Sequence, residues 1–327
     1  MSGLPLVSVL IPCYNHEKFL DDCLRSIMSQ TYKNIEFIIC DDCSSDASFS
    51  ILKAREEELK KRFSRVLIIR NETNQGISKN LNRLIGLAEG EYIKILASDD
   101  ALAENAIEAF AAYMAENASA DVVFSNGKVI GEDVRIGEKD VIDSCPNIYD
   151  KAPDLDAKRL KERIFYSNEI SAPCAFYRRS VFERYGLFDE SFSIEDLEFW
   201  LRLLSKGGCG FAFLDKPLVY YRRNAESITS QSVNERTEQR LLRFHTAETA
   251  ILEKYRSLVS PEVYADAMFR RYINIYGYAC VNGMGRLCGM AESGYKSFEG
   301  RKALPLPKRA YYALQKLKIK IRYGSRV

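Results

Sequence analysis

Apolar and polar positions alternate in a regular way through the first 125 residues of the chain. Short continuous apolar runs, of the kind found in strands buried on both faces, are separated by segments whose apolar residues recur at helical spacing. This alternation predicts an α/β fold with a mostly parallel sheet and helices on both faces. The predicted strands are 7–13, 35–40, 65–70, 92–96 and 121–125, and the predicted helices lie near 19–27, 46–62, 78–87 and 104–116.

The pattern is less regular in the rest of the chain. Residues 127–155 are polar and contain two prolines, which indicates a loop. Near the C-terminus, residues 316–322 alternate basic and apolar, which fits either a helix or a strand. Further strands are predicted at 171–178, 211–214 and 218–221, and further helices at 196–206, 232–256 and 261–281.

We divide the chain into an α/β domain over 1–231, with halves 1–126 and 127–231, and a helical extension over 232–327. The extension ends in a basic segment, 301–327, that contains nine basic residues and no acidic one. Because the formal net charge of the whole chain is only +2, the rest of the chain is acidic on balance. Such a segment suits an anionic membrane surface, and it also suits packing against the acidic remainder or self-association. Nucleic-acid binding is not expected.

The composition is that of a soluble globular protein, with 46% hydrophobic and 28% charged residues. No apolar run reaches the roughly 18 residues of a transmembrane helix. The first apolar run has no basic residues ahead of it, so we expect no signal peptide. Without an export signal, the nine scattered cysteines are expected to be free thiols in the cytoplasm.

Polar residues follow four successive predicted strands, at the carboxyl ends where parallel sheets bind their ligands. Any one such cluster could be only a turn and a helix cap. Four clusters in register, two of them with adjacent carboxylates, favour a ligand site. The candidate residues are Pro12, Tyr14 and Asn15 after the first strand, Asp41 and Asp42 after the second, Lys79 after the third, and Asp99 and Asp100 after the fourth.

The pair Asp99 and Asp100 predicts a metal site. Adjacent carboxylates repel each other unless a cation lies beside them, and Mg²⁺ or Mn²⁺ commonly completes its shell with diphosphate oxygens. The alternative is a surface helix start with one aspartate as its cap. Lys79 follows the turn at Gly76 and suits a phosphate, although it could also be a solvated helix lysine.

A second acidic pair, Glu195 and Asp196, opens the predicted helix 196–206. Either carboxylate could simply interact with the helix dipole. Either could also act as a general base that removes a proton from an acceptor hydroxyl. Trp200, the only tryptophan, follows one turn later, and we consider it as a core residue and as a surface for an acceptor sugar.

Other enzyme classes fit the sequence less well. Cys40 and Cys43 have the spacing of a redox pair, but Asp41 and Asp42 between them would raise thiol pKa values and oppose thiolate chemistry. Neither the Gly-x-Gly-x-x-Gly fingerprint nor a Walker lysine motif is present, which counts against dehydrogenases and P-loop enzymes.

Three stretches in the first hundred residues together resemble glycosyltransferase family 2, which has the Rossmann-like GT-A fold: VSVLIPCYNHEKFLDDCLRSIMSQTY, IEFIICDDCSSDAS and NETNQGISKNLNRLIGLAEGEYIKILASDD. The resemblance continues through SAPCAFYRRSVFERYGLFDESFSIEDLEFWLRLLSKG. It covers roughly residues 6–223, about two-thirds of the chain. Within the family the chain is most similar to bacterial enzymes that assemble O-antigen, capsule or other surface polysaccharides.

The resemblance implies an inverting transferase with a nucleotide-sugar-binding half over 1–126 and an acceptor-binding half over 127–231. By position, Asp99 and Asp100 would bind Mg²⁺ or Mn²⁺, Asp196 would be the catalytic base, and Glu195 and Trp200 would face the acceptor. The family's acidic motif often begins with an aspartate at the position of Ala97, so the division of roles between Asp99 and Asp100 stays open. The implied nucleotide contacts are Pro12, Tyr14, Asn15, Asp41, Asp42, Lys79 and Asp99.

The implied activity is transfer of a hexose or N-acetylhexosamine from a nucleotide sugar, most simply a UDP-sugar, to a saccharide acceptor. Enzymes of this kind commonly use a lipid-linked acceptor, so we expect a cytoplasmic protein that docks at the inner face of the cytoplasmic membrane. Two alternatives remain, a nucleotidyltransferase on a similar scaffold and a non-catalytic nucleotide-sugar-binding protein. A positioned base at Asp196 argues against the binding protein, which has no use for one.

Overall fold

A computed structural model describes residues 3–223 and 235–298 of the chain. The chain forms two compact units. The first comprises Met1–Leu155 and Ile170–Asn224, and the second comprises Asp156–Glu169 and Ala225–Val327. The grouping differs from the predicted division in two respects: residues 156–169 belong with the C-terminal helices, and the boundary falls between Asn224 and Ala225 where we predicted 231.

The first unit is built on an eight-stranded sheet within the described residues. Its strand order is β3-β2-β1-β4-β7-β6-β8-β5. The strands are β1 Val7–Cys13, β2 Ile35–Asp41, β3 Arg65–Arg70, β4 Tyr92–Ile95, β5 Ala101–Leu102, β6 Val122–Ile130, β7 Ala175–Arg178 and β8 Phe211–Arg222.

The helices of both units lie close to the predicted positions where the amphipathic pattern was clear. The helices of the first unit are α1 Leu20–Met28, α2 Ser48–Arg62, α3 Ile77–Leu87, α4 Ala106–Glu116, α5 Lys139–Ser144, α7 Ser180–Tyr185 and α8 Glu195–Lys206, and those of the second are α6 Ala157–Tyr166, α9 Glu235–Lys254, α10 Pro261–Val281 and α11 Gly285–Phe298. Two short 3₁₀ helices span Ala172–Cys174 and Arg256–Leu258.

The N-terminal half of the sheet is parallel, and its inner strands β1 and β2 are buried on both faces while the edge strand β3 is half-buried. Strand β1 pairs in parallel with β2 and β4, and β2 pairs in parallel with β3. Val9 and Phe37 belong to the core that includes α1, α2 and α4, while Leu10 and Ile38, which alternate with them, are fully buried where α3 packs on the two strands. The carboxyl ends of β1 and β2 therefore lie at one edge of a rigid sheet.

The second half of the sheet brings antiparallel pairings. Strand β7 is antiparallel to both β4 and β6, while β6 and β8 are parallel. The predicted strands 211–214 and 218–221 are one continuous strand, β8, which passes through an irregular register opposite Ser125–Gly127. A Cβ at Gly127 would lie 2.6 Å from the Val219 carbonyl oxygen, so glycine is needed for this close approach.

The prediction of a loop over 127–155 is wrong for two segments, 127–130 and 139–144. Strand β6 continues to Ile130 because its backbone pairs with β8, and residues 139–144 form the short helix α5. Helices α6 and α11 were also missed. Asp156 caps α6 by accepting a hydrogen bond from the Arg159 backbone N–H at 3.1 Å. The segment 308–323, for which helix and strand were both considered, lies outside the described residues.

The second unit holds its helices together partly through buried polar groups. The Tyr166 hydroxyl donates to the buried carboxylate of Asp266 at 3.0 Å, and Arg271 donates to the Phe165 carbonyl oxygen at 3.0 Å and pairs with Glu248. These contacts attach α6 to α9 and α10. None of the helices in the described part of the chain is long and apolar enough to cross a membrane.

The prediction that all cysteines are free is wrong at one place. Cys280 and Cys288 form a disulfide in the second unit, because the turn between α10 and α11 brings their Cα atoms to 6.0 Å. The other seven cysteines are free thiols.

Candidate active site

The loop after β1 connects the separate parts of the site. Asn15 has a left-handed backbone conformation, with φ 53°, and its side-chain oxygen accepts a hydrogen bond from the Ser45 N–H at 2.8 Å. Its own N–H donates to the Ser44 hydroxyl at 3.0 Å. Asn15 therefore fixes the first loop against the loop after β2. Tyr14, beside it, is 46% exposed and offers an aromatic face to a ligand.

Asp41, at the end of β2, has one carboxylate oxygen that is bonded and one that is not. Its Oδ2 accepts from the Ser44 N–H at 3.1 Å and lies 3.3 Å from Nε of Arg70. Its Oδ1 is buried and has no hydrogen-bond partner among residues 3–223 and 235–298. A buried oxygen without a donor is costly, so this atom is suited to accept an N–H from a ligand.

Asp42 differs from Asp41 because both of its carboxylate oxygens accept hydrogen bonds within the protein. Its Oδ1 accepts hydrogen bonds from Asn71 at 2.8 Å and from the Gln75 N–H at 2.7 Å, and its Oδ2 accepts from the Gly76 N–H at 2.9 Å. Gly76 has φ 83°, a conformation that favours glycine. Asp42 thus shapes the turn that leads into α3, and its predicted nucleotide contact stays a prediction.

Lys79 lies on the exposed side of α3. It lines a polar cleft of about 640 Å³ together with Arg70, Asn82, Arg83 and Glu190. The structure therefore groups Lys79 with other cations beside the edge strand β3, and not with the residues that line the cavity at Asp196.

The two acidic residues after β4 differ strongly in burial. The Asp99 side chain is 15% exposed, and one of its oxygens lies 3.8 Å from Nδ1 of His16, which also lies 2.8 Å from the Ser98 hydroxyl. Asp100 is fully buried. Its Oδ1 accepts from the Arg222 N–H at 2.8 Å, while its Oδ2 has no hydrogen-bond partner within the described ranges. Burial and the neighbouring charge of Asp99 raise the pKa of Asp100 well above its usual range.

Arg222, which the sequence did not single out, holds this acidic loop. It is fully buried at the end of β8, and burial lowers its pKa. Its Nε donates to the Asp99 carbonyl oxygen at 3.0 Å, and its guanidinium also donates to the Asp22 carboxylate at 3.1 Å and to the Val134 carbonyl oxygen at 2.6 Å. The sequence does not show which of the adjacent residues Arg222 and Arg223 is buried.

The acidic pair fits a divalent cation that takes part of its shell from a substrate. Within the described residues no three His, Cys, Asp or Glu side chains cluster as a complete protein metal site. Mg²⁺ sites often need only one or two carboxylates besides phosphate oxygens. The Oδ2 of Asp100, which has no hydrogen-bond partner within the described ranges, and the partly exposed carboxylate of Asp99 fit such a role, and their predicted metal binding stays a prediction.

Glu195 and Asp196 begin α8 and border a small cavity of about 90 Å³. One oxygen of Asp196 accepts a hydrogen bond from the Leu197 N–H at 2.7 Å. Burial and the adjacent charge of Asp196 raise the pKa of Glu195 to about 8. The residues lining the cavity are Pro12, Ile77, Leu81, Ile95, Ala97, Ala172, Pro173, Tyr177, Phe188, Glu195 and Asp196.

Trp200 does not face an acceptor. It is fully buried, stacks on Tyr177 with ring centroids 6.0 Å apart, and meets Phe124 edge to face at 5.3 Å. The predicted acceptor contact of Trp200 is therefore wrong, because its position on the apolar face of α8 places it in the core.

The chain belongs to glycosyl transferase family 2, whose model matches residues 8–186, and it is a glycosyltransferase. It is 31% identical over 242 residues to an uncharacterized glycosyltransferase of Haemophilus influenzae, a match that covers 73% of this chain and 72% of that protein. It is 30% identical over 241 residues to the Escherichia coli enzyme WfaP, named as a UDP-Glc:α-D-GlcNAc-diphosphoundecaprenol β-1,3-glucosyltransferase. That match covers 72% of this chain and 84% of WfaP.

The fold is also that of a solved relative. S. aureus TarS, residues 1–349, in complex with UDP-GlcNAc superposes with a TM-score of 0.56 at 21% identity, covering 90% of each chain. Against the longer TarS structure the match covers 55% of TarS. These likenesses confirm the GT-A-like α/β fold and the resemblance to enzymes of polysaccharide biosynthesis that the sequence predicts.

Proposed function

We propose that the protein is an inverting glycosyltransferase that moves a sugar from a UDP-sugar to a saccharide acceptor. The main support for the proposal is that the end of β1 and the loop after it lie against three parts of the site. Asn15 bonds to the loop after β2, His16 contacts Asp99, and Pro12 lines the same cavity as Asp196. Groups for base recognition, for diphosphate charge and for proton transfer thus share one edge of the sheet.

The proposed donor follows from Asp41 and Tyr14. A uracil ring carries an N–H that could donate to the buried, unpartnered Oδ1 of Asp41, and its face could stack on the exposed ring of Tyr14. Arg70 and the Ser44 N–H hold Oδ2 of Asp41 in place, so its Oδ1 is already oriented when the ligand binds.

In the proposed reaction the acceptor hydroxyl attacks the anomeric carbon from the face opposite the diphosphate. Asp196 removes the proton of that hydroxyl as the new bond forms, and the bond to the diphosphate oxygen breaks. Asp99 and Asp100 would hold Mg²⁺ or Mn²⁺, which when bound offsets the negative charge of the leaving diphosphate. The buried Arg222 fixes the loop that carries both aspartates.

The proposed acceptor is a lipid-linked saccharide in surface polysaccharide synthesis. WfaP, a relative of similar length, has a diphosphoundecaprenol-linked acceptor in its name. An acceptor of this kind would place the protein at the inner face of the cytoplasmic membrane. The basic segment 301–327, which lies outside the described residues, has the composition to dock there.

A donor screen tests the proposal. We expect UDP and UDP-sugars to raise the thermal unfolding temperature in the presence of Mg²⁺ or Mn²⁺, and excess chelator to abolish sugar transfer. Asp41→Asn should weaken UDP binding roughly tenfold, the scale of about 1.4 kcal/mol, because the variant amide can present a donor where the base needs an acceptor.

Three results would contradict parts of this account. Binding of GDP without binding of UDP would overturn the donor, and full activity in excess chelator would overturn the metal. Formation of a nucleotide sugar from a sugar phosphate and UTP would identify a nucleotidyltransferase. Donor binding without turnover, across candidate acceptors, would favour the binding protein.

A further inference from the structure

The cavity beside Asp196 has the size of a substituent and not of a whole sugar. Its volume is about 90 Å³, whereas pockets that enclose a complete small ligand measure roughly 300–1,000 Å³. About 10–15 Å³ on the same kind of measure is enough for one water molecule. The cavity can therefore hold a group of several atoms that projects from a sugar bound above it.

The position of the cavity ties it to the donor. It is lined by Pro12, at the end of β1, by Ala97, two residues before Asp99, and by Asp196. Ala97 matters because a larger or charged side chain there would take up part of this space. One wall is held rigidly, since the buried Lys94 donates hydrogen bonds to the carbonyl oxygens of Pro173 and Ala175.

The lining combines apolar walls with one polar end. Ile77, Leu81 and Phe188 contribute hydrocarbon, and the polar side chains are Tyr177 and the pair Glu195 and Asp196. A sugar hydroxyl directed at the apolar walls would lose its hydrogen bonds to water. A methyl group alone would contact the apolar walls but would form no hydrogen bond with Glu195.

Glu195 suits an amide in particular. With a pKa of about 8, raised by burial and by the charge of Asp196, it is mostly a neutral carboxyl at pH 7. A neutral carboxyl has one O–H donor and one carbonyl acceptor. The trans amide of an acetamido group has one N–H donor and one carbonyl acceptor that point in opposite directions, so the carboxyl can accept from the N–H or donate to the carbonyl oxygen.

We propose that this cavity receives the acetamido group of a 2-acetamido-2-deoxyhexose on the nucleotide donor. The methyl group lies among the apolar walls, and the amide faces Glu195. The inference rests on the proposed function and narrows its donor from UDP-sugars in general to UDP-N-acetylhexosamines.

The test compares two donors and four proteins. We measure kcat/KM for UDP release from UDP-N-acetylglucosamine and from UDP-glucose with the wild-type protein, Ala172→Leu, Glu195→Gln and Ala112→Leu. The wild type should prefer the acetamido donor by about 10- to 100-fold, the range expected when a site complements a substituent that a competitor lacks. Ala172→Leu fills the cavity and should reduce the preference below about threefold, mainly by slowing the acetamido donor.

One further variant tests the amide contact, and another serves as the control. Glu195→Gln keeps one donor and one acceptor and should retain the preference. Ala112 lies on the exposed side of α4 and outside the cavity, so Ala112→Leu should behave as the wild type. If Ala172→Leu fails to fold, Ala97→Val fills the same cavity from another loop.

The outcomes separate this inference from the proposed function. Equal or better use of UDP-glucose by the wild type overturns the assignment of the cavity and leaves the transferase function standing. An equal loss for both donors in Ala172→Leu also overturns it. Release of UDP from neither donor, under conditions where UDP binds, overturns both proposals.

Discussion

At the scale of single residues, adjacent aspartates that look alike in the sequence differ in burial and hydrogen bonding. Asp41 has one buried oxygen with no hydrogen-bond partner within the described residues, whereas both oxygens of Asp42 accept hydrogen bonds at the turn before α3. Asp99 is partly exposed and Asp100 is buried. The adjacent pairs could be predicted to matter from the sequence, but the division of labour depends on hydrogen bonds between residues about 30 positions apart or more.

The pair at the start of α8 gives a prediction for stability. The pKa of Glu195 is raised to about 8 from an ordinary value near 4.5. Between these two pH values the folded protein binds a proton that the unfolded chain has lost, so stability falls as the pH rises through this window. Glu195→Gln removes the cost of ionisation and should unfold with a free energy at least about 1 kcal/mol higher than the wild type at pH 8.5.

Urea unfolding at a series of pH values measures this difference. The advantage of Glu195→Gln should shrink as the pH falls from 8.5 to below 4.5, because the wild-type carboxyl then becomes neutral in the unfolded state as well as in the folded one. An advantage that stays constant with pH, or a variant less stable than the wild type at pH 8.5, would show that Glu195 is not held in its neutral form.

At the scale of elements, the pattern of apolar runs was sufficient for the parallel half of the sheet. Strand β2 is buried along its whole length and β1 everywhere except at Pro12, so their apolar runs are continuous and easy to find. Strand β8 is exposed at Asp215–Pro217 and was split in two, and α6 carries only a short apolar stripe. The burial of Trp200 could not be predicted for a similar reason. A single aromatic residue does not show whether its side of the helix packs on the core or faces solvent.

The end of β8 gives a prediction for the acidic loop. Arg222 is buried and pairs with Asp22 and with carbonyl oxygens that would lose their donor in Arg222→Met. Removing one partner from a buried ion pair costs about 3–5 kcal/mol, so we expect a loss of unfolding free energy on the order of 3 kcal/mol. Transferase activity should fall further than stability explains, because Asp99 and Asp100 lose their support.

Arg223→Met is the matched control for this change. Arg223 is the next residue along the chain and is exposed, so its replacement should change the free energy of unfolding by no more than about 0.5 kcal/mol. Denaturant unfolding measures the loss of unfolding free energy in Arg222→Met and in Arg223→Met. Similar losses in the two would mean that the buried contacts of Arg222 do not hold the loop.

At the scale of the whole molecule, the basic segment 301–327 stands out by its charge, with nine basic residues and no acidic one. Each basic residue near an anionic membrane contributes roughly 1 kcal/mol, so even some of the nine could hold the protein there reversibly. We expect the full chain to sediment with anionic liposomes at low salt and to be released at high salt. A chain that ends at Gly300 should stay in the supernatant at both salt concentrations.

Neutral liposomes provide the control for charge, and sedimentation of either chain with them should be weak. Equal sedimentation of the two chains with anionic liposomes, or no sedimentation of either, would remove this segment from membrane docking. The alternative role, packing against the acidic remainder of the protein, would then be favoured.

The central claim is that Asp196 serves as the base in an inverting transfer from a nucleotide sugar. The direct measurement is transfer from an α-linked UDP-sugar to a saccharide acceptor, with the anomeric configuration of the product read by NMR, for the wild type and for Asp196→Asn. We predict a β-linked product and a fall in turnover of about 10²-fold or more in the variant, with nearly unchanged donor affinity. An α-linked product, or normal turnover by Asp196→Asn, would contradict the account.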